Sequence, residues 1–199
     1  MRVISGKLKG KRLFAVKGLN LRPTSDRVKE ALFNILQDRF QGQRVLDLFA
    51  GTGALGIEAL SRGAREVIFV EGSARSLAAL RRNLEGCRLQ ELSEVLSREV
   101  SAGIKILQAR GESFELIFLD PPYGKGLARR TLEALCKSSI VAPRALIVVE
   151  HSPAEELDSP PSWQLADWRK YGGTQISFFQ PLDELSEGEA MAEKIPLGN

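Results

Sequence analysis

The chain has 199 residues, a formal net charge of +3, one histidine and two cysteines. That length suits a single core with helices packed on a sheet, and Cys87 and Cys136 are too few for a disulfide scaffold or a zinc site. No apolar run approaches a membrane span, and the first residues lack the apolar stretch of a signal peptide, so a cytoplasmic protein is expected.

Residues 1–30 carry nine basic side chains, Arg2, Lys7, Lys9, Lys11, Arg12, Lys17, Arg22, Arg27 and Lys29, against Asp26 and Glu30. Gly6, Gly10 and Gly18 punctuate this segment, which predicts a flexible arm or a short hairpin over residues 1–24. A helix follows from about Ser25 to Leu36, with Val28, Ala31, Leu32, Ile35 and Leu36 on one face and Thr24 or Ser25 available to cap it.

Arg44–Phe49 reads as a short strand that runs into the glycine-rich turn from Ala50 to Gly56, and Ala54–Arg62 as the next helix, ended by Gly63. Strand, glycine turn and helix together make a nucleotide-cofactor site, because glycines let a ligand approach backbone amides closely. The strand Glu66–Val70 ends at Glu71, about 20 residues past the glycines, where a carboxylate can accept both hydroxyls of a ribose. A helix is expected from Ser73 to Glu85, stopping at Gly86, and then a strand at Ser93–Ser97. Beyond it, Glu99 and Val100 are candidates to meet an adenine.

The apolar run Phe114–Leu119 reads as a buried strand that Asp120-Pro121-Pro122-Tyr123 stops abruptly. These four residues suit methylation of an exocyclic amine on a nucleic-acid base. Such a nitrogen is a poor nucleophile until acceptors hold its protons. Asp120 and the Pro121 carbonyl supply two acceptors, and Tyr123 offers a face on which the base stacks. As local structure alone, Asp-Pro-Pro is also ordinary turn chemistry.

Two carboxylates decide the cofactor. A dinucleotide would place its pyrophosphate at the glycines, and Asp47 and Asp120 on the same sheet edge would repel it. S-adenosylmethionine has no phosphate but carries an ammonium and a sulfonium, which anions favour. The predicted donor is therefore S-adenosylmethionine, with a nicotinamide oxidoreductase as the competing reading of the glycines. His151 reads as an ordinary strand-end residue, and no metal is expected. Leu127–Lys137 is the next predicted helix, Ala145–Glu150 a strand, and Trp163–Lys170 with Thr174–Gln180 a hairpin about Tyr171-Gly172-Gly173.

Several stretches resemble bacterial small-subunit (16S) ribosomal RNA guanine-N2 methyltransferases. They are Arg2–Gly6, Leu21–Asn34, Asp47–Gly56, Glu58–Ala64 and Asp120–Tyr123, and the likeness spans most of residues 1–180. The glycine loop and Asp-Pro-Pro-Tyr are shared with many amino-methyltransferases, whereas Arg22–Asn34 is more specific to this family. Thr52 stands where the family often has serine, and Gly72 where a larger or acidic residue is common.

The resemblance implies a Rossmann-like class I methyltransferase fold: a mostly parallel seven-stranded sheet, helices on both faces and a C-terminal antiparallel hairpin. Residues 25–180 form the methyltransferase domain in this reading, and residues 181–199, with five acids against Lys194, an acidic disordered tail. The expected cofactor contacts are Asp47, Phe49, Ala50, Gly51, Gly53, Glu71, Gly72, Glu99, Val100 and Asp120. Asp120, Pro121, Pro122 and Tyr123 form the catalytic set. Lys7, Lys9, Lys11, Arg12, Arg22, Thr24, Arg27 and Lys125 are the expected RNA contacts, with Arg129 and Arg130 as further phosphate-holding candidates. The expected partner is ribosomal RNA, within a small-subunit particle or assembly intermediate, and no membrane. Three alternatives stay open: a DNA adenine-N6 or cytosine-N4 methyltransferase, a nicotinamide oxidoreductase, and a non-catalytic RNA-binding or assembly protein on the same fold. The oxidoreductase would explain the glycines but not Asp-Pro-Pro-Tyr or the basic arm.

Overall fold

A computed structural model of the chain describes residues 1–16, 26–37 and 39–182. Seven strands make one sheet in the order β3-β2-β1-β4-β5-β7-β6. They are β1 (Arg44–Leu48), β2 (Glu66–Glu71), β3 (Ser93–Ser97), β4 (Phe114–Leu119), β5 (Val141–His151), β6 (Trp163–Tyr171) and β7 (Thr174–Pro181). The first five pair in parallel, and β7 joins β5 and β6 antiparallel. Runs such as Val45–Leu48 and Leu116–Leu119 are buried throughout, as expected of parallel strands covered on both faces.

Five helices cover the sheet: α1 (Asp26–Leu36), α2 (Ala54–Ser61), α3 (Ala74–Cys87), α4 (Val100–Ala109) and α5 (Leu127–Cys136). Side chains alternate faces along a strand, so two cores form. Val45, Phe69, Phe118 and Val148 pack with Leu32 and Phe33 of α1, Ile57 of α2 and Leu80 of α3. On the opposite face, Leu46, Val70, Ile117 and Ile147 pack with Ile104 of α4 and Leu132 of α5.

Three features differ from the sequence reading. Helix α4 was not anticipated, although Val100, Gly103, Ile104 and Leu107 fall on one buried face. Helix α3 passes through Gly86 and ends at Arg88, which takes the left-handed conformation at φ 56°. Strand β5 begins four residues earlier than expected, at Val141.

The basic N-terminal segment is docked. The Val3 N–H donates to Lys11 O and the Gly10 N–H to Val3 O, both at 2.9 Å, and Arg2 bridges Arg12 in antiparallel pairing. Val3 and Leu13 are buried in the core. Buried Glu58 of α2 accepts the N–H groups of Ile4 at 2.7 Å and Ser5 at 2.9 Å, while Ser61 Oγ accepts that of Leu8 at 2.9 Å. These bonds hold residues 1–13 against α2, in place of a mobile arm. Lys29, one of the basic residues of the first thirty, is 2% exposed. It donates to Arg2 O at 2.7 Å and lies 3.6 Å from Glu58, so a buried cation braces the same hairpin.

Candidate active site

The glycine loop is shaped by groups from three elements. The chain leaves β1 through Phe49, at φ 61°, and reaches Gly53 at φ 81°. A Cβ at Gly53 would lie 2.4 Å from Leu80 Cδ1, so glycine is needed there for space as well as for the left-handed turn. Beneath the loop, Asp47 Oδ2 accepts the Gly56 N–H at 2.9 Å. From the side, Glu71 Oε2 accepts the Gly51 N–H at 2.7 Å, while its Oε1 accepts the Ser73 N–H at 2.7 Å. From behind, Asn83 Nδ2 donates to Thr52 O at 2.9 Å. Ala50 is tied to β2 by its N–H to Val70 O at 3.2 Å.

Four carboxylates stand near the carboxyl ends of four adjacent strands: Glu71 on β2, Asp47 on β1, Asp120 just past β4 and Glu150 on β5. Alternation puts Asp47 on the face of Val45, Asp120 on that of Phe118 and Glu150 on that of Val148. Burial raises the Asp47 pKa to about 7, against the Gly56 N–H, which lowers it, and with a smaller push from Glu71. Asp120 is held well above the usual carboxylate range, first by burial, then by Glu150 and Asp47. A row of crowded acids repels phosphate and favours a cation.

Tyr123 belongs to this row. Its hydroxyl lies 3.2 Å from Glu150 Oε1 and 3.2 Å from Thr174 Oγ1. The phenol donates to Glu150, and the Thr174 hydroxyl has a proton to give back. Burial, with the nearby acids, pushes the phenol up to about 12, although the Thr174 bond works the other way. Pro121 is buried and Pro122 exposed.

The remaining expected residues fall in several places. Glu99 caps the start of α4, and a Cβ at Gly72 would lie 2.5 Å from its Oε1, so Glu99 and Gly72 share one spot beside Glu71. The Val100 side chain is buried with Leu96 and Ile104. Lys7, Lys9, Lys11 and Arg12 project from the docked hairpin and Lys125 from the loop after Tyr123, all exposed. Arg129 is paired with Asp158 at 3.2 Å, and Arg130 donates to Lys125 O at 2.6 Å, both at exposed positions. Arg22 and Thr24, the Arg27 side chain and the tail from 183 onward lie outside the described residues. His151 is buried with Nε2 2.8 Å from Ser177 Oγ and Nδ1 3.0 Å from the carbonyls of Ser152 and Glu155, a bonded core residue. Glu150 and Asn83 escaped the sequence reading, although Glu150 closes an apolar strand just as Glu71 does. Among the described residues, no group of three or more His, Cys, Asp and Glu side chains is placed to hold a metal ion. No helix of the described residues is long and apolar enough to cross a membrane.

A parallel sheet closed by an antiparallel hairpin, with a glycine loop after its central strand, defines a Rossmann-like class I methyltransferase fold. Within that class the chain belongs to the family described as Conserved hypothetical protein 95, which matches residues 1–180. It is 36% identical over 181 residues to ribosomal RNA small subunit methyltransferase D of Haemophilus influenzae, covering 90% of this chain and 93% of that protein. The solved structure of yhhF from Escherichia coli superposes with a TM-score of 0.81 at 32% identity, over 92% of this chain and 99% of the other. A more distant fold neighbour, SMU.776, was solved in complex with SAH; it is 16% identical, with a TM-score of 0.63 over 77% of this chain and 49% of that one.

Proposed function

We propose that this protein is an S-adenosylmethionine-dependent ribosomal RNA methyltransferase that methylates the exocyclic N2 amine of a guanine in small-subunit RNA. The observation that carries the reading is the placement of Asp120-Pro121-Pro122-Tyr123 at the carboxyl end of β4, beside the glycine loop of β1. The family membership and the name of the Haemophilus influenzae relative support ribosomal RNA as the substrate class.

The bound donor supplies an electrophilic methyl on a sulfonium. The residues of this chain do the rest. Glu71, at the end of β2, accepts from ribose hydroxyls, and Asp47 and Asp120 favour the cationic end of the donor. Reaching the amine requires a base turned out of its stack. Tyr123 then carries the face of that base, while Asp120 and the Pro121 carbonyl hold the amine protons and leave its lone pair aimed at the methyl. Positioning and fixed dipoles account for most of the acceleration in this scheme, so no nucleophilic Cys or His is called for. Lys7, Lys9, Lys11 and Arg12 hold the RNA backbone from the hairpin, and Lys125 from the far side of the motif. Such a protein acts in the cytoplasm on a small-subunit particle or assembly intermediate.

The test is nucleoside analysis. Methyl-labelled S-adenosylmethionine is incubated with naked 16S RNA, unmodified small-subunit particles and duplex DNA. Label should enter RNA and be recovered as N2-methylguanosine. Label recovered as N6-methyladenine in DNA would move the chain to the DNA class, and cofactor binding without transfer would make it a non-catalytic RNA-binding protein.

A further inference from the structure

Strand β5 brings an acid to the site that the reaction scheme above leaves without a role. Glu150 lies at the end of the apolar run Ala145–Val149 and is 7% exposed. Burying a carboxylate is costly unless its position is used, and an apolar side chain would continue the core of Val148 and Ile176 at less cost. What Glu150 receives instead is the hydroxyl of Tyr123 at 3.2 Å. The same hydroxyl meets Thr174 Oγ1 at 3.2 Å on β7, and Thr174 follows the two-glycine turn that joins β6 to β7. Tyr123 itself sits on a loop whose next glycines, Gly124 and Gly126, are left-handed at φ 76° and φ 61°. The loop alone fixes the backbone end of the ring. The far end is fixed by two strands.

We infer that Glu150 is a positioning residue for methyl transfer, acting through Tyr123: with Thr174 it anchors the phenol hydroxyl and so sets the plane of the ring that receives the target base. This rests on the reading that Tyr123 stacks on that base. A ring anchored at both ends presents one face at a fixed tilt, whereas a ring held only by its loop samples several. The Glu150 carboxyl offers an acceptor oxygen to the phenol at a place where the neighbouring apolar residues of β5 offer none. Glu150 touches neither base nor donor in this scheme.

The test combines kinetics with a signal from the ring itself. The chain contains two tyrosines, so tyrosine labelled with ¹³C at Cζ gives two signals, and Tyr123→Phe identifies one of them. Glu150→Ala and Thr174→Val should both shift the Tyr123 signal. Glu150→Ala should leave that of Tyr171 in place, whereas Thr174→Val also touches Tyr171, its pairing partner across the turn. In methyl-transfer assays, Glu150→Ala should lower kcat/KM for RNA by about 10-fold, the scale of one hydrogen bond, with affinity for S-adenosylmethionine unchanged. Glu150→Gln keeps an acceptor oxygen and should recover the larger part of that loss. Adding Glu150→Ala to Tyr123→Phe should cost nothing further, because the hydroxyl is already gone. An unmoved Tyr123 signal, losses that multiply in the double variant, or a Gln variant as impaired as Ala would overturn the inference. If Glu150→Ala does not fold, Thr174→Val and Tyr123→Phe carry the same comparison. Failure of the RNA reading looks different: the wild type transfers no methyl to RNA while the ring signal still responds to Glu150.

Discussion

Asn83 clasps the peptide of Phe14 from both sides. The Phe14 N–H donates to Asn83 Oδ1 at 2.7 Å, and Asn83 Nδ2 donates back to Phe14 O at 3.1 Å. The same amide nitrogen donates to Thr52 O at 2.9 Å, so one buried side chain joins the segment leaving the basic hairpin to the glycine loop. Replacing Asn83 by Ala removes three hydrogen bonds, one of them to the buried Thr52 carbonyl. Stability should fall by about 2–4 kcal/mol, measured by urea denaturation.

A second buried side chain holds the other end of the hairpin. Glu58 accepts from Ile4, Ser5 and Arg62 and faces Lys29. Glu58→Ala removes this buried carboxylate from all four partners, and breaking a buried ion pair by removing one partner costs about 3–5 kcal/mol. Limited proteolysis should then cut within residues 1–13 of the variant while the wild type resists. Equal resistance would mean that apolar contacts of Val3 and Leu13 hold the hairpin unaided.

Glu71 is the expected ribose acceptor and already shapes the loop through Gly51 and Ser73. Glu71→Ala should weaken S-adenosylmethionine binding roughly 10- to 100-fold, read by calorimetric titration. Tight NADH binding by the wild type would favour a dehydrogenase instead.

The pH dependence follows from Asp47. Its pKa in the fold is about 7, against an ordinary value of 3.8. Between those values the folded chain keeps a proton that the unfolded chain releases. The contribution of Asp47 is therefore fully present below about pH 4 and lost as pH rises through about 7. Relative to Asp47→Asn, the wild type should lose stability from pH 5 to about pH 7 and then level off, by no more than roughly 3 kcal/mol at 1.36 kcal/mol per unit. A cationic donor favours the ionised carboxyl, so affinity for S-adenosylmethionine should rise over the same interval, and Asp47→Asn should flatten that rise. A pH-independent difference between the two proteins would contradict the assignment.

What the sequence revealed were local patterns. The strand–glycine–helix unit at Arg44–Ser61 and the proline stop after Leu119 each lie within about twenty residues, so periodicity and turn chemistry expose them. Longer-range facts stayed hidden. Glu58 meets Ile4 and Ser5 across more than fifty positions, and nothing near Lys29 marks it as buried. Helix α4 has the right spacing at Val100, Gly103, Ile104 and Leu107, but only four buried positions, a glycine among them, make a weak periodic signal. Gly86 looked like a stop because glycine commonly ends helices, yet Arg88 takes the left-handed position. Glu150 was legible in principle, since an acid ending an apolar parallel strand is the same signal that singled out Glu71 and Asp120.

The most direct measurement is turnover by Asp120→Ala under conditions where cofactor binding is measured in parallel. The variant should bind S-adenosylmethionine, fold as the wild type does, and lose at least about 10²-fold in methyl transfer to small-subunit RNA, the scale of removing one transition-state-oriented polar group. Full activity in a folded Asp120→Ala protein would contradict the account at its centre.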